Sequence, residues 1–326
     1  MEKNKLNSFD RMTPAMREIV SFEEKEAKRI QGEYGPNLTA PRAYALVRQY
    51  WNEEAPDLER SEEHILKKGD LRIPFVIHYP DGVTDPSVIL FIHGGGFTVG
   101  SPRTHEGIMR RLVAATGSAV AGIDYSLAPE TKYPTALNEC VALAEHLHQA
   151  AGNYDLNGSA LTLAGDSAGA YLSLASALWI RDHEVDCPID SLLLYYGAYG
   201  LEDSMSMRLY GGSWDGLTLE DLKSYARAFT RSEDEADPYR KLFNSDLTWG
   251  VPPAYIMACE LDPLKDDSRL LHAILSEHGL TSVYREVPGV IHGFLHYSRE
   301  LPEAEEMIAE SGEFYRSTRK KREGSN

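Results

Sequence analysis

Across residues 72–297 short, nearly continuous apolar runs alternate with longer amphipathic stretches, a rhythm that predicts strands and helices in turn. Residues 87–92 (Ser-Val-Ile-Leu-Phe-Ile) have the unbroken apolar character of a strand buried on both faces. A second such run, residues 160–164, is followed within a few residues by a helical stretch beginning near Ala170. A third starts at Pro253 and runs to Leu261, and residues 281–287 alternate in the manner of a strand covered on one side. Strands alternating with helices predict an α/β class protein with a mostly parallel central sheet and helices on both faces. Loops at the carboxyl ends of the strands are then the place to look for chemistry. Two regions break the rhythm. Before residue 72, Met16, Ile19, Val20, Ala27 and Ile30 fall at helical spacing and no strand is expected. Residues 201–250 form the second break, in which Thr218-Leu219-Glu220-Asp221 has the pattern of a helix start.

Three strand ends carry reactive residues. Gly165-Asp166-Ser167-Ala168-Gly169 joins the second strand to its helix, and reads as the sharp strand-turn-helix elbow that presents a nucleophilic serine. A turn that tight is crowded, which accounts for glycine at both ends. The amide of Ala168, next after the serine, points where a tetrahedral oxyanion would form. The first strand runs into His93-Gly94-Gly95-Gly96-Phe97, a loop whose glycines free the backbone to turn N–H groups inward as further donors. A phosphate-cradling loop is the alternative. It fails because no G-x-x-x-x-G-K-[ST] occurs and Val99 stands where a dinucleotide fingerprint needs glycine. The third run ends in Asp262-Pro263, a carboxylate placed to orient an imidazole or to cap the next helix; Asp266 and Asp267 fit the helix's first turn better. His292 leaves the last strand, and the order Ser167, Asp262, His292 along the chain is that of the α/β hydrolases.

The other histidines read differently. His296 follows His292 at a spacing that could hold a metal on a helix, but the H-E-x-x-H glutamate is missing, so no metal is expected and His296 reads as a cap or surface residue. His146 and His148 read as solvated residues of a helix.

Taken together, the His93-Gly94-Gly95-Gly96-Phe97 loop, Asp124-Tyr125-Ser126-Leu127-Ala128-Pro129-Glu130, the Gly165–Gly169 elbow, Asp262-Pro263-Leu264 and His292-Gly293-Phe294 resemble the bacterial esterases of the hormone-sensitive-lipase-like branch. The resemblance implies the α/β-hydrolase fold as one domain over residues 1–326, with a helical cap from about residues 1–60 and about 201–250. It implies a carboxylic ester hydrolase favouring short acyl chains, without cofactor, whose oxyanion donors are Gly95 and Gly96 beside Ala168, Gly94 shaping the turn. Phe97, Tyr210 and Trp214 are then expected at the acyl pocket, with ordinary packing of large rings as the competing reading. The resemblance also carries a homodimer as an expectation. A serine amidase or peptidase would use the same residues, and a regulatory protein partner is compatible with an intact site.

Composition narrows the partners. A formal charge of −17, from 33 basic and 50 acidic residues, argues against a nucleic-acid surface. The basic run at residues 316–322 is read as a helix end, where cations suit the dipole. No apolar signal region follows the first residues and no stretch approaches a membrane span, so a cytoplasmic protein acting on a small-molecule ester is expected. Cys140, Cys187 and Cys259 sit in or beside apolar patterns and are expected as buried free thiols.

Overall fold

The structure, a computed structural model, describes residues 4–323, the side chains of 321–323 excepted. In chain order the elements are α1 (Pro14–Tyr34), α2 (Ala40–Asn52), β1 (Ser61–Lys68), β2 (Leu71–His78), β3 (Ser87–Ile92), α3 (Glu106–Thr116), β4 (Ala119–Ile123), α4 (Thr135–Gln149), β5 (Asn157–Asp166), α5 (Ala168–Asp182), β6 (Ile189–Tyr195), α6 (Met205–Leu209), α7 (Leu219–Phe229), β7 (Ala254–Leu261), α8 (Lys265–Glu277), β8 (Ser282–Ile291) and α9 (Pro302–Glu323). The strands form one sheet in the order β1-β2-β4-β3-β5-β6-β7-β8. β1 and β2 are antiparallel to their neighbours, and every pairing from β4 through β8 is parallel.

Period-two alternation along the central strands sends residues to two separate cores. Leu90, Ile92, Leu163, Leu192, Leu194 and Ile256 face one layer, while Phe91, Ala164, Leu193, Tyr195, Met257 and Cys259 face the other. Both faces are therefore dry, and truncating Leu163 or Leu193 to Ala would cost about 2–5 kcal/mol. The three cysteines are buried and unpaired.

One expectation needs correction: residues 61–68, before the alternating region, are a strand. β1 is a sheet edge whose Glu62, Glu63, His64, Lys67 and Lys68 keep it half in water. Its apolar period is thus masked, and an eight-residue antiparallel register with β2 holds it instead. Among the described residues no helix is long and apolar enough to cross a membrane. The basic run ends α9, where Arg319 meets Asp190 at 3.3 Å and Arg316 reaches the Ala115 carbonyl; the side chains of Lys321 and Arg322 lie outside the described residues.

Candidate active site

β5 delivers Asp166 at its last position, α5 begins at Ala168, and Ser167 between them is forced to φ +54°, ψ −118°. A non-glycine residue in that region costs about 1–3 kcal/mol, which the buried strand and helix on either side hold in place. Glycine is compulsory beside it, since a Cβ on Gly169 would stand 1.8 Å from the Ile92 carbonyl oxygen of β3.

The three strand ends converge. His292, the residue after β8, places Nε2 2.8 Å from Ser167 Oγ and Nδ1 2.8 Å from Asp262 Oδ2. Asp262, the residue after β7, is fully buried, and its other oxygen accepts the Leu264 amide at 2.8 Å. It thus serves both functions considered for it, orienting the imidazole and tying the turn into α8. Since Asp262 can only accept, Nδ1 carries the proton and Nε2 is left free to take one from the serine.

Opposite the serine, the loop after β3 runs through Gly95 at φ +110° and Gly96 at φ +58°. Among the described residues no acceptor takes the amides of Gly95 or Gly96. The Ala168 amide opens α5 and has no partner within the helix. Gly96 and Ala168 share the cavity wall with Ser167, and the Ala168 amide stands at the positive end of a helix dipole, which favours negative charge there.

Asp166 is a functional residue that the motif hid behind its variable position. Its Oδ1 accepts the Gly94 amide at 2.8 Å, so the elbow itself fixes the start of the glycine loop. Burial pushes Asp166 up, but His105, at 3.3 Å, and the Gly94 amide outweigh it and hold the carboxyl below its usual range. His93 stacks on Tyr125 and is driven down to about 3 by burial and by the neighbouring His105. His296 requires correction: it is buried, not a surface or cap residue, with Nε2 3.2 Å from the Tyr44 hydroxyl. The loop after His292 packs His296 against Tyr44, His105 and Asp166, a burial that the four-residue spacing could not reveal. Burial, Arg48 and His105 keep it well below the ordinary histidine range. His105, Asp166 and His296 are the described side chains that could together hold a metal ion, with ligand atoms within 4.8 Å of one another. His146 and His148 are half-buried on α4 and bonded to the Tyr154 hydroxyl and the Gly158 carbonyl.

A cavity of about 720 Å³ opens over Ser167. Phe97 lines it, stacked on Phe229 with ring centres 3.8 Å apart and planes 4° from parallel, and Tyr171 meets Phe97 edge-on. Tyr210 and Trp214 are not part of this wall. Tyr210 is buried elsewhere, its hydroxyl bonded to Arg11 at 2.9 Å and its ring near Lys265, and Trp214 packs on Phe9. The wall is supplied by α7, whose Leu219, Leu222, Ala226 and Phe229 fall on one helical stripe with Tyr225 beside them. The stripe was visible in the sequence; the two rings before it drew attention by size alone. Of the described residues before β1, only Asn4 and Lys5 reach the wall, while Tyr44 and Trp51 of α2 pack against His296 and Tyr297 beyond the His292 loop.

Comparison with known proteins agrees with this architecture. The chain belongs to the alpha/beta hydrolase fold family, whose model matches residues 89–296. It is 42% identical over 316 residues to an acetyl esterase of Salmonella schwarzengrund (strain CVM19633), covering 96% of this chain and 97% of the relative. Among solved structures, a hyperthermophilic esterase from the archaeon Pyrobaculum calidifontis superposes with a TM-score of 0.83 at 26% identity, covering 93% of this chain and 97% of the other. An ester hydrolase from the metagenome of Lake Arreo shares the fold at 24% identity, with a TM-score of 0.83 over 93% of this chain and 98% of the other.

Proposed function

We propose that the chain is a serine carboxylic ester hydrolase for short acyl groups, acetyl foremost, acting through an acyl-enzyme. The observation that carries this reading is the pair of 2.8 Å contacts linking Ser167 to His292 and His292 to Asp262 beside unoccupied amide donors. His292 takes the Ser167 proton as Oγ attacks the ester carbonyl, and the Gly95, Gly96 and Ala168 amides hold the oxyanion. Asp262 keeps the imidazole in its tautomer and stabilises the imidazolium, which then protonates the departing alcohol. Water, deprotonated by the same His292, attacks the acyl carbonyl and frees the acid and Ser167. His93 and Gly94 shape the loop, and Phe97 with Phe229 and α7 confines the substrate.

Acetyl preference is supported by the relatives named acetyl esterases, of which the chain spans nearly the full length. We read residues 4–323 as one hydrolase domain, with residues 201–250 as the principal cover. Buried free thiols support a cytoplasmic location, and a homodimer is carried by family resemblance, to be checked by light scattering. The deciding experiment is a chain-length series of p-nitrophenyl esters with the purified protein. Highest kcat/KM at two to four carbons supports the reading, and a maximum at long chains overturns it. Matched amides separate an esterase from an amidase or peptidase.

A further inference from the structure

The cavity wall contains one buried carboxyl group that the proposed reaction does not use. Asp267, in the first turn of α8, is 1% exposed and lines the same cavity as Ser167. Its Oδ1 accepts three successive amides of the loop after β6: Tyr199 at 2.7 Å, Gly200 at 2.9 Å and Leu201 at 3.2 Å. Gly200 and Leu201 are themselves part of the wall. Oδ2, in contrast, is buried and has no partner among the described residues. A buried carboxyl oxygen without a partner is costly, and one that faces a substrate cavity is a candidate for a functional role.

We propose that Asp267 Oδ2 is a recognition point for a hydroxyl group on the alcohol half of the ester, so that the substrates are short-acyl esters of hydroxylated alcohols. The assignment to the alcohol half rests on the short-acyl reading above: an acetyl group fills a small part of about 720 Å³, leaving the remainder to the leaving group. A hydroxyl suits this site better than an ammonium. Burial raises Asp267 to about 7, so both its forms are present near neutrality. A hydroxyl donates to the carboxylate or accepts from the protonated acid, whereas an ammonium can only donate. Five basic residues line the wall against Glu202 and Asp203 besides Asp267 itself, an excess of positive charge that also disfavours a cation.

The test uses the full chain at pH 8, where the carboxylate dominates. The probes are ω-hydroxyalkyl acetates of two to six carbons, the alkyl acetates in which a methyl replaces the hydroxyl, and the ω-methoxy acetates, which accept but cannot donate. At the best-fitting length the hydroxyl ester should exceed both partners in kcat/KM by about tenfold to a hundredfold. In Asp267→Asn the amide oxygen keeps the three backbone bonds and the NH2 occupies the place of Oδ2. A donor replaces an acceptor there, and the preference for hydroxyl over methoxy should fall at least about tenfold, with the melting curve confirming the fold. A merely structural residue would lower all three ester classes by one factor, and that result overturns the proposal. So does a wild-type series in which no length favours the hydroxyl ester, a result that needs no variant and leaves the esterase reading standing. No turnover of any acetate overturns both.

Discussion

The carboxyl ends of β5, β7 and β8 and the cover above them solve opposite problems. Ser167 and Asp262 sit at the tips of strands buried on both faces, and His292 follows the buried end of the edge strand β8, so their separations are set by backbone registers that cannot slide without emptying two cores. The cover is built from α7 and irregular loops, most of whose residues keep contact with water. It contributes no member of the Ser–His–Asp relay. Chemistry is thus lodged where the fold is stiff, and substrate choice where a sequence can drift at small cost in stability.

If that division is right, damage should scale with depth in the sheet. Ser167→Ala should cut turnover of p-nitrophenyl acetate by about 10⁴-fold or more, with an unchanged melting temperature. Asp262→Asn should cost about 10⁴-fold through the wrong imidazole tautomer, while Asp266→Asn leaves acetate turnover within a small factor; the reverse ranking would reassign the acid. Gly96→Ala falls between the two regions. Its φ of +58° and a Cβ 2.4 Å from the Tyr225 ring would displace the amide, and about 10²- to 10³-fold in kcat should be lost with little change in KM. Tyr225→Ala, in the cover, should leave acetate turnover nearly intact while raising longer acyl esters about tenfold relative to acetate; equal loss on all chain lengths would place α7 in the chemistry.

The smallest effect concerns stability. Burial lifts Asp267 to about 7 from an unfolded value near 3.9. Below the lower value both states are protonated; between the two the unfolded chain releases its proton first, and above about 7 the whole contribution is gone. Stability from this group is therefore lost as pH rises from about 4 to 7. The melting temperature of Asp267→Asn minus that of wild type should become more positive over that window by a few degrees, roughly. A flat difference would mean the carboxyl is not held in that state.

The same division explains what could be read in advance. Ser167 and Asp262 follow apolar runs and His292 follows an alternating one, each legible as a strand, so spacing alone carried them to one edge of the sheet. Asp166 was hidden because its task, holding the Gly94 amide, depends on β3 lying next to β5, a non-consecutive pairing that no local pattern records. Tyr210 and Trp214 looked like pocket residues because they are large and precede α7, yet the direction of a loop side chain is decided by tertiary contacts such as Arg11 and Phe9. β1 escaped for the reason that makes it tolerable at an edge, its charges. His296 was misplaced because burial of an imidazole needs a partner, here the Tyr44 hydroxyl, which lies 252 positions away in the chain.

The amino-terminal segment has a practical consequence. Leu6 donates its amide to the Leu209 carbonyl, Lys5 reaches the Met207 and Tyr210 carbonyls, and Asn4 and Lys5 form part of the cavity wall. A purification tag fused ahead of these residues would therefore join the chain a few positions from the cavity wall, where it can perturb the kinetic constants. Comparing tagged and cleaved protein belongs before any measurement of acyl-length preference.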